Sequence, residues 1–119
     1  MGPPRVIWRG EVYWIDLSQP VSHEPAFRRP GVIVSTDVVN NGAGDLVVVV
    51  PVTSTNYGLR SHIEVVAEDN PPGRSSFARC DQVRAIASQR VEERIGNLSH
   101  EELQVIDDAL RFILELSRP

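Results

Sequence analysis

The sequence predicts a mainly β fold, a small barrel of about five or six strands, followed by one C-terminal helix. Three observations support this: apolar strand patterns recur from residue 10 to residue 87, turn-forming residues separate them, and a helical pattern follows. The 119 residues are the length of one domain. We therefore expect a single domain over residues 1–119, with the barrel at about 9–97 and the helix at about 99–117.

The strand predictions follow from residue types. Residues 10–17 alternate in polarity and are rich in aromatic and β-branched side chains, and residues 31–36 and 62–66 are shorter apolar runs. Residues 46–53, LVVVVPVT, form the strongest predicted strand, and their continuous apolar run indicates burial on both faces. Pro51 near its end favours an edge or a bulge.

The connecting segments are less regular. Residues 76–87 predict one extended strand or two strand pieces, with polar positions that are unusual for a pure core element. Residues 18–30 contain three prolines and no periodicity, which predicts a long loop. The asparagines and glycines of residues 40–44 predict a turn.

The C-terminal helix has a clear start and two apolar rows. Ser99 followed by Glu102 is the pattern of a capping box. The first row predicts the face packed on the sheet, and it consists of Leu103, Ile106, Leu110, Ile113 and Leu114. The second row either contacts a partner or is scattered on the surface, and it consists of Val105, Ala109, Phe112 and Leu116.

Charge is concentrated at one end of the chain. The net charge is −4, and residues 91–119, with seven acids and three arginines, carry all of it, because nine acids and nine arginines cancel in residues 1–90. All twelve basic residues are arginine, which excludes a lysine-based catalyst. The single cysteine excludes an internal disulfide, and no apolar run approaches the length of a membrane helix. We expect a soluble cytoplasmic protein.

Several kinds of active site are disfavoured by missing motifs. The three histidines are isolated from one another and the lone Cys80 supplies no thiolate pair, so no metal site is expected. Glycine-rich phosphate loops and the GxSxG elbow are absent from the sequence, and no cofactor is expected. What remains is polar groups at strand ends. Arg28 and Arg29 close the long loop, and the hydroxyls from Thr53 to Thr55 either face a site or cap a turn.

A series of short segments resembles the MazF/PemK family of bacterial toxin endoribonucleases. Each segment is weak alone, but their order and spacing hold over about 110 residues. The segments are RGEVYWIDL at residues 9–17, the loop acid Glu24, the RP pair at 29–30, VIVST at 32–36, VVPVTS at 49–54, HIEV at 62–65, CDQVRAI at 80–86 and IGNLS at 95–99.

The resemblance implies a small SH3-like barrel with a C-terminal helix, assembled as a homodimer. It implies cleavage of single-stranded RNA at short sequences without a metal, by attack of the 2′-hydroxyl on the adjacent phosphorus. The arginine before the proline of the RP pair is Arg29, which we expect to stabilise charge on the phosphate. Thr53 is expected to donate a hydrogen bond. Glu24 is either the general base or a loop and binding residue.

Further candidate RNA-binding residues surround these three. Arg28 and Ser54 adjoin them in sequence, although a regular extended chain points Arg28 elsewhere. Gln82 either helps recognition or belongs to a buried polar network. His62 is either structural or an RNA contact. Two loop residues either stack on bases or pack on the barrel, namely His23 and Phe27.

The resemblance also implies a partner. In the family, an acidic segment of a small MazE-like antitoxin covers the RNA-binding surface, which would suit an arginine-lined groove. Two other hypotheses stay open from the sequence. One is a non-catalytic toxin like CcdB that binds a protein such as gyrase, and the other is a barrel that has lost catalysis. The presence of both Arg29 and Thr53 favours the enzyme.

Overall fold

The structure is a computed structural model that describes residues 5–17, 28–66 and 75–116. These ranges form a mainly β fold with a C-terminal helix, as the sequence predicts. The elements are β1 (Glu11–Asp16), β2 (Arg28–Ile33), α1 (Asp37–Asn40), β3 (Leu46–Thr53), β4 (His62–Val65), β5 (Ser76–Arg79), β6 (Arg84–Ala87), β7 (Val91–Asn97) and α2 (His100–Leu114). Two short 3-10 turns, Cys80–Gln82 and Ser88–Arg90, connect β5 to β6 and β6 to β7.

All strand pairs are antiparallel, and they follow one path across the sheet. The order is β4-β5-β3-β2-β1-β7, and β6 pairs with β3 beside this path. The two outer strands, β4 and β7, do not pair with each other in the part of the chain that the structure describes. The expected barrel is therefore not closed by hydrogen bonding there, although its strands and helix are present.

Strand β3 lies at the centre of this arrangement. It pairs with β2 on one edge, while its other edge pairs first with β6 along Leu46–Val49 and then with β5 at Val52 and Thr53. The predicted burial on both faces is confirmed from Val49 to Thr53. Of the edge or bulge predicted for Pro51, the edge is wrong because β3 is central, and the ladder on one side of β3 is interrupted between Val49 and Val52. The proline fits because the partner strand is interrupted beside it by the Cys80–Gln82 turn.

Alternation along the strands produces two apolar cores, one on each face of the sheet. The core on the helix side contains Val12, Val32, Val50, Val52, Val65, Ala78, Cys80 and Ile106. The core on the other side contains Ile7, Tyr13, Ile15, Ile33, Val47, Val49, Ile86 and Val91. Neighbouring residues such as Val49 and Val50 thus pack into different cores. This explains why β3 is apolar at nearly every position.

Helix α2 begins with the predicted capping box. The Glu102 N–H donates to Ser99 Oγ at 3.1 Å, and the Ser99 N–H donates to Glu102 Oε1 at 2.9 Å. Ile106 is fully buried against the sheet. Leu114 was expected in the packed row but is 54% exposed, because the helix ends there and Glu115 takes a left-handed conformation with φ of 54°.

Two polar contacts fasten α2 to the sheet. The second carboxylate oxygen of Glu102 accepts a hydrogen bond from the Val66 N–H at 2.6 Å, at the end of β4. Arg9, just before β1, donates to both carboxylate oxygens of Asp107 at 2.5 Å. In the second apolar row, Val105, Phe112 and Leu116 are exposed, whereas Ala109 packs against the helix-side core.

The structure differs from the sequence prediction in three further places. Strand β2 begins at Arg28, inside the expected loop, because Arg28 pairs with Asp16 of β1. The short helix α1, capped by Thr36, overlaps the expected turn. Strand β7 was missed: its consecutive charged residues hide it, and register shifts in its pairing with β1 break simple alternation.

No helix in the described ranges is both long and apolar enough to span a bilayer.

A close contact in the sheet gives a first prediction. A Cβ atom at Gly31 would overlap Ile15 Cδ1 and lie 3.1 Å from its Cγ1. We expect Gly31→Ala to lower the free energy of unfolding by about 1–3 kcal/mol. Ile15→Val, which removes Cδ1, should cost about 0.5–1.5 kcal/mol alone. Urea denaturation of both single variants and the double variant measures their coupling.

The double variant should be more stable than the sum of the single effects, because the smaller side chain of the Ile15→Val substitution makes room for the new methyl group. Strict additivity of the two losses would contradict the contact.

Candidate active site

Arg29 lies near the start of β2, and Thr53 is the last residue of β3. Gly31 lies opposite Pro51 in this antiparallel ladder, and continuing the register by two residues places Arg29 opposite Thr53. Directly opposed residues share a face of the sheet, with Cβ atoms about 4.5–5.5 Å apart. The extended register thus predicts that the two residues singled out by the resemblance lie on the same face of neighbouring strands, two residues beyond the last recorded pair, Gly31 and Pro51.

Arg29 presents an unneutralised guanidinium at this position. Arg29 is exposed, and it pairs with the buried Ile15 of β1. Among the described residues, its side chain forms no ion pair. A guanidinium carries five N–H donors in a planar fork, so Arg29 is able to bind an external phosphate in a bidentate manner.

Arg28 is directed away from this pair. It forms an ion pair with Glu92, and its guanidinium carbon lies 4.8 Å from the centroid of the Trp14 ring. Alternation along β2 places Arg28 and Arg29 on opposite faces. This agrees with the expectation that Arg28 adjoins the site but points elsewhere. Any contact between Arg28 and RNA would compete with Glu92.

Thr53 is mostly buried, with 8% of its surface exposed. Its Oγ1 accepts a hydrogen bond from the Thr55 N–H at 3.2 Å, so the turn-capping role considered from the sequence is present. A hydroxyl that accepts one hydrogen bond still has its own proton to donate. The capping contact therefore fixes the Thr53 side chain without removing its donor function. Ser54, the next residue, is exposed.

His62 belongs to a buried polar cluster. Its side chain is 1% exposed, and Nε2 lies 3.0 Å from Asp81 Oδ1. The Tyr57 ring packs edge-on against the imidazole with 5.6 Å between centroids. Because a carboxylate only accepts, this contact places a proton on Nε2. The geometry favours the structural interpretation of His62, since its ring faces protein in this conformation.

The other candidates fall into two groups. Gln82 lies in the turn between β5 and β6 and is exposed, so the interpretation that it joins a buried network is wrong. The turn lifts it out of the sheet. His23, Glu24 and Phe27 lie outside the described residues, and their roles stay predictions.

Sequence reasoning overlooked two residues on the same face. Phe77 lies directly opposite Thr53 in the β3–β5 ladder. Arg79 follows two residues later, and it lies opposite His62 in the β4–β5 ladder. Strand alternation in the sequence already predicts that residues 77 and 79 share a face. Only the register shows that this face also carries Arg29 and Thr53.

Two buried groups have strongly shifted pKa values. Burial, with smaller contributions from Asp81 and Asp107, raises the pKa of Cys80 to about 12. Burial and the hydrogen bond to Glu11 raise the pKa of Tyr13 to about 12. Both groups are neutral near pH 7, so neither is suited to act as a nucleophile or base. Within residues 5–17, 28–66 and 75–116, no three acidic, histidine or cysteine side chains cluster as metal ligands do.

The family of the chain is given by comparison with known proteins. The family described as "PemK-like, MazF-like toxin of type II toxin-antitoxin system" matches residues 8–114. The chain belongs to this toxin family. The match includes the strands that carry Arg29 and Thr53, which confirms the resemblance inferred from the short segments.

Individual relatives agree with this assignment. The chain is 30% identical to endoribonuclease EndoA of Bacillus subtilis (strain 168) over 112 residues, covering 93% of the chain and 97% of EndoA. It is 35% identical to endoribonuclease MazF9 of Mycobacterium tuberculosis over 114 residues, covering 91% and 96%. The fold is similar to that in the MazE-MazF crystal structure from Deinococcus radiodurans, with a TM-score of 0.75, 22% identity and coverage of 96% and 100%.

The buried thiol of this toxin-family chain gives a second prediction. The pKa of Cys80 rises from 9.0 to about 12 on folding, so the stability that it contributes is complete below pH 9. That contribution should be lost as the pH rises from 9 to 12, because the unfolded thiol ionises and the folded thiol does not. Melting temperatures of the wild type and Cys80→Ala across this range measure the effect.

The wild type should lose stability faster than Cys80→Ala above pH 9, since the variant lacks this ionisation. Other groups, including Tyr13, titrate in both proteins and cancel in the comparison. Parallel pH profiles would show that the thiol is accessible in the folded state.

Proposed function

We propose that this chain is the toxin of a type II toxin–antitoxin system and that it cleaves single-stranded RNA at short specific sequences without a metal. The proposal is carried by the match of residues 8–114 to the toxin family, and it is supported by the β2–β3 register, which on extension sets Arg29 opposite Thr53. EndoA and MazF9, which are named endoribonucleases, support the same activity.

The proposed reaction is a transesterification within the RNA. The 2′-hydroxyl oxygen forms a bond to the adjacent phosphorus while the bond from that phosphorus to the 5′-oxygen of the next nucleotide breaks. The 2′ proton passes to a base, and the departing 5′-oxygen gains a proton. The products are a 2′,3′-cyclic phosphate and a 5′-hydroxyl. Negative charge grows on the non-bridging and leaving oxygens, so fixed hydrogen-bond donors lower the barrier most.

The side chains supply such donors. Arg29 clamps the phosphate with its planar fork and stabilises the growing charge. A guanidinium is a poor proton donor, so we assign Arg29 an electrostatic role. Thr53, held by its contact with Thr55, donates a hydrogen bond to a phosphate or leaving oxygen. Glu24 is the candidate general base, provided that it reaches the 2′-hydroxyl.

The charge distribution is compatible with an RNA substrate. The chain is acidic overall, but the excess acid lies in residues 91–119. There, Asp107 pairs with Arg9 and Asp108 with Arg111, so part of that charge is neutralised away from the candidate site. RNA requires only a local cationic surface. We propose that Ser54, Gln82, His23 and Phe27 contribute to binding around Arg29, that Arg28 contributes only where RNA displaces Glu92, and that His62 has a structural role.

The proposal extends to assembly and location. We propose that residues 1–119 act as one domain, that the chain forms a homodimer, and that it acts in the cytoplasm. The exposed row formed by Val105, Phe112 and Leu116 offers apolar surface for such contacts. A MazE-like antitoxin is the proposed partner, and a MazE-MazF structure is among the similar folds.

The activity is tested by incubating the purified chain with mixed-sequence single-stranded RNA in EDTA and mapping the new ends. We expect cleavage at one short recurrent motif, with 2′,3′-cyclic phosphate and 5′-hydroxyl ends. EDTA removes divalent ions, so it separates this mechanism from a metal-dependent nuclease. An RNA that contains all short motifs and stays intact would refute the proposal and favour a binding toxin.

The assignment of the site is tested by Arg29→Ala and Thr53→Val. Each should lower the cleavage rate about 100-fold or more, because each removes an electrostatic donor. Thr53→Ser, which keeps the hydroxyl, should retain most activity. Arg94→Ala is the matched control, since it removes an exposed arginine whose ion pair with Glu11 is a loose 3.7 Å.

Single-turnover rates and melting temperatures should be measured together. Arg29→Ala should melt close to the wild type because its side chain is exposed. Full activity in Arg29→Ala and Thr53→Val would show that the catalytic groups lie elsewhere.

A further inference from the structure

One cross-strand pair contains both buried side-chain atoms that lack a hydrogen-bond partner. In the ranges that the structure describes, these atoms are His62 Nδ1 and Arg79 Nε. The two residues lie directly opposite each other in β4 and β5. A buried polar atom without a partner costs stability, and such atoms are rare in folded proteins. Their coincidence in one pair therefore points to a role other than holding the fold together.

The guanidinium of Arg79 is positioned by an aromatic ring. Its central carbon lies 5.3 Å from the centroid of Tyr57, which is 54% exposed. Tyr57 in turn packs against His62, whose imidazole is fixed by Asp81. This chain of contacts holds the Arg79 head group in place without a carboxylate.

The absence of a carboxylate distinguishes Arg79 from the arginines that form ion pairs. Four arginines form ion pairs with acids, namely Arg9, Arg28, Arg94 and Arg111. Within the described ranges Arg79 has no such pair. A cation that is fixed by a ring and not neutralised is prepared to bind an anion from outside.

The register places this cation near the candidate active site. Thr53 lies opposite Phe77, and Arg79 follows Phe77 on the same face of β5. Arg29 lies on β2, two strands away from β5, and Arg79 is offset from it by two residues along the strand direction. Strand spacing of about 4.8 Å and a rise of about 3.3 Å per residue put their Cα atoms about 12 Å apart. The two guanidinium groups are thus spaced to contact different phosphates of one strand.

We propose that Arg79 is a second phosphate-binding arginine, which contacts a non-scissile phosphate of the RNA while Arg29 contacts the scissile one. Tyr57 is its positioning residue. This inference rests on the proposed ribonuclease function and extends it to a binding subsite on β5. The subsite binds a phosphodiester and carries no part of the bond-breaking step.

The test is Arg79→Met, which keeps an unbranched apolar stem and removes the guanidinium. Its KM for the cleaved RNA should rise about 10-fold, the scale of a lost hydrogen bond to a charged group, and kcat should fall far less. The slope of log affinity against log salt should become shallower by about 0.7, as expected for one lost contact to a single strand. The melting temperature should stay the same or rise, because an unpartnered buried N–H is removed.

Matched variants separate this role from a structural one. Arg111→Met removes an arginine from α2 and should leave KM and the salt slope unchanged. Tyr57→Phe keeps the ring and should bind RNA like the wild type, whereas Tyr57→Leu should raise KM. If Arg79→Met fails to fold, Arg79→Lys replaces it. The lysine variant should keep the salt slope while raising KM, because the charge stays and the planar fork is lost.

The outcomes also separate this inference from the proposed function. If the wild type cleaves RNA but Arg79→Met keeps its KM and salt slope, the subsite is refuted and the ribonuclease stands. If Arg79→Met loses affinity for an oligoglutamate peptide but keeps its affinity for RNA, the phosphate subsite is also refuted, because Arg79 then binds an acidic protein ligand. A wild type that neither binds nor cleaves RNA would refute the function itself.

Discussion

Strand β3 is hydrogen-bonded along both edges, and this double pairing sets the positions of the other strands. Its valines fill two cores at once, so a shift of one residue would move every side chain to the wrong face. Beside Pro51, the partner of this edge of β3 changes from β6 to β5. Because Thr53 is the last residue of β3, the same register that packs the valines also determines what lies beside its hydroxyl. The packing of the two cores and the surroundings of the Thr53 hydroxyl therefore both depend on the register of β3.

Some arginines of the fold form ion pairs with acids, whereas others in the described ranges do not. Arg9 and Arg111 are paired with acids of α2, and Arg28 is paired with Glu92 of β7. Arg29 and Arg79, which share the face around Thr53, have no carboxylate partner among the described residues. A protein of net negative charge therefore still presents a cationic surface where a phosphate is needed. The acidic C-terminal segment contributes to this contrast by neutralising arginines elsewhere.

Local patterns were sufficient to predict most of the fold, whereas Arg29 and Thr53 were singled out by the resemblance to the toxin family and their roles stay predictions. The buried valine run and the capping box depend on neighbours in sequence and were predicted, and the division of residues 76–87 into two strands was one of two alternatives left open. Strand β7 was not predicted, since bulged pairing removes the alternation by which a strand is recognised. Arg79 was overlooked for a different reason: its importance depends on which strand lies beside β5. Register between distant segments is a tertiary property that no short window of sequence contains.

The Glu102 carboxylate caps α2 and also covers part of the exposed edge of β4. Strand β4 lies at an end of the sheet, where unpaired backbone groups invite other chains to add a strand. The carboxylate that caps α2 also takes the Val66 N–H, immediately beyond β4, and at the opposite end the His62 N–H is bonded to Leu59 O. The four-residue strand is therefore closed off at both ends by its own chain. The first turn of α2 therefore limits the addition of a further strand at the edge of β4, where a longer strand with free backbone groups would favour aggregation.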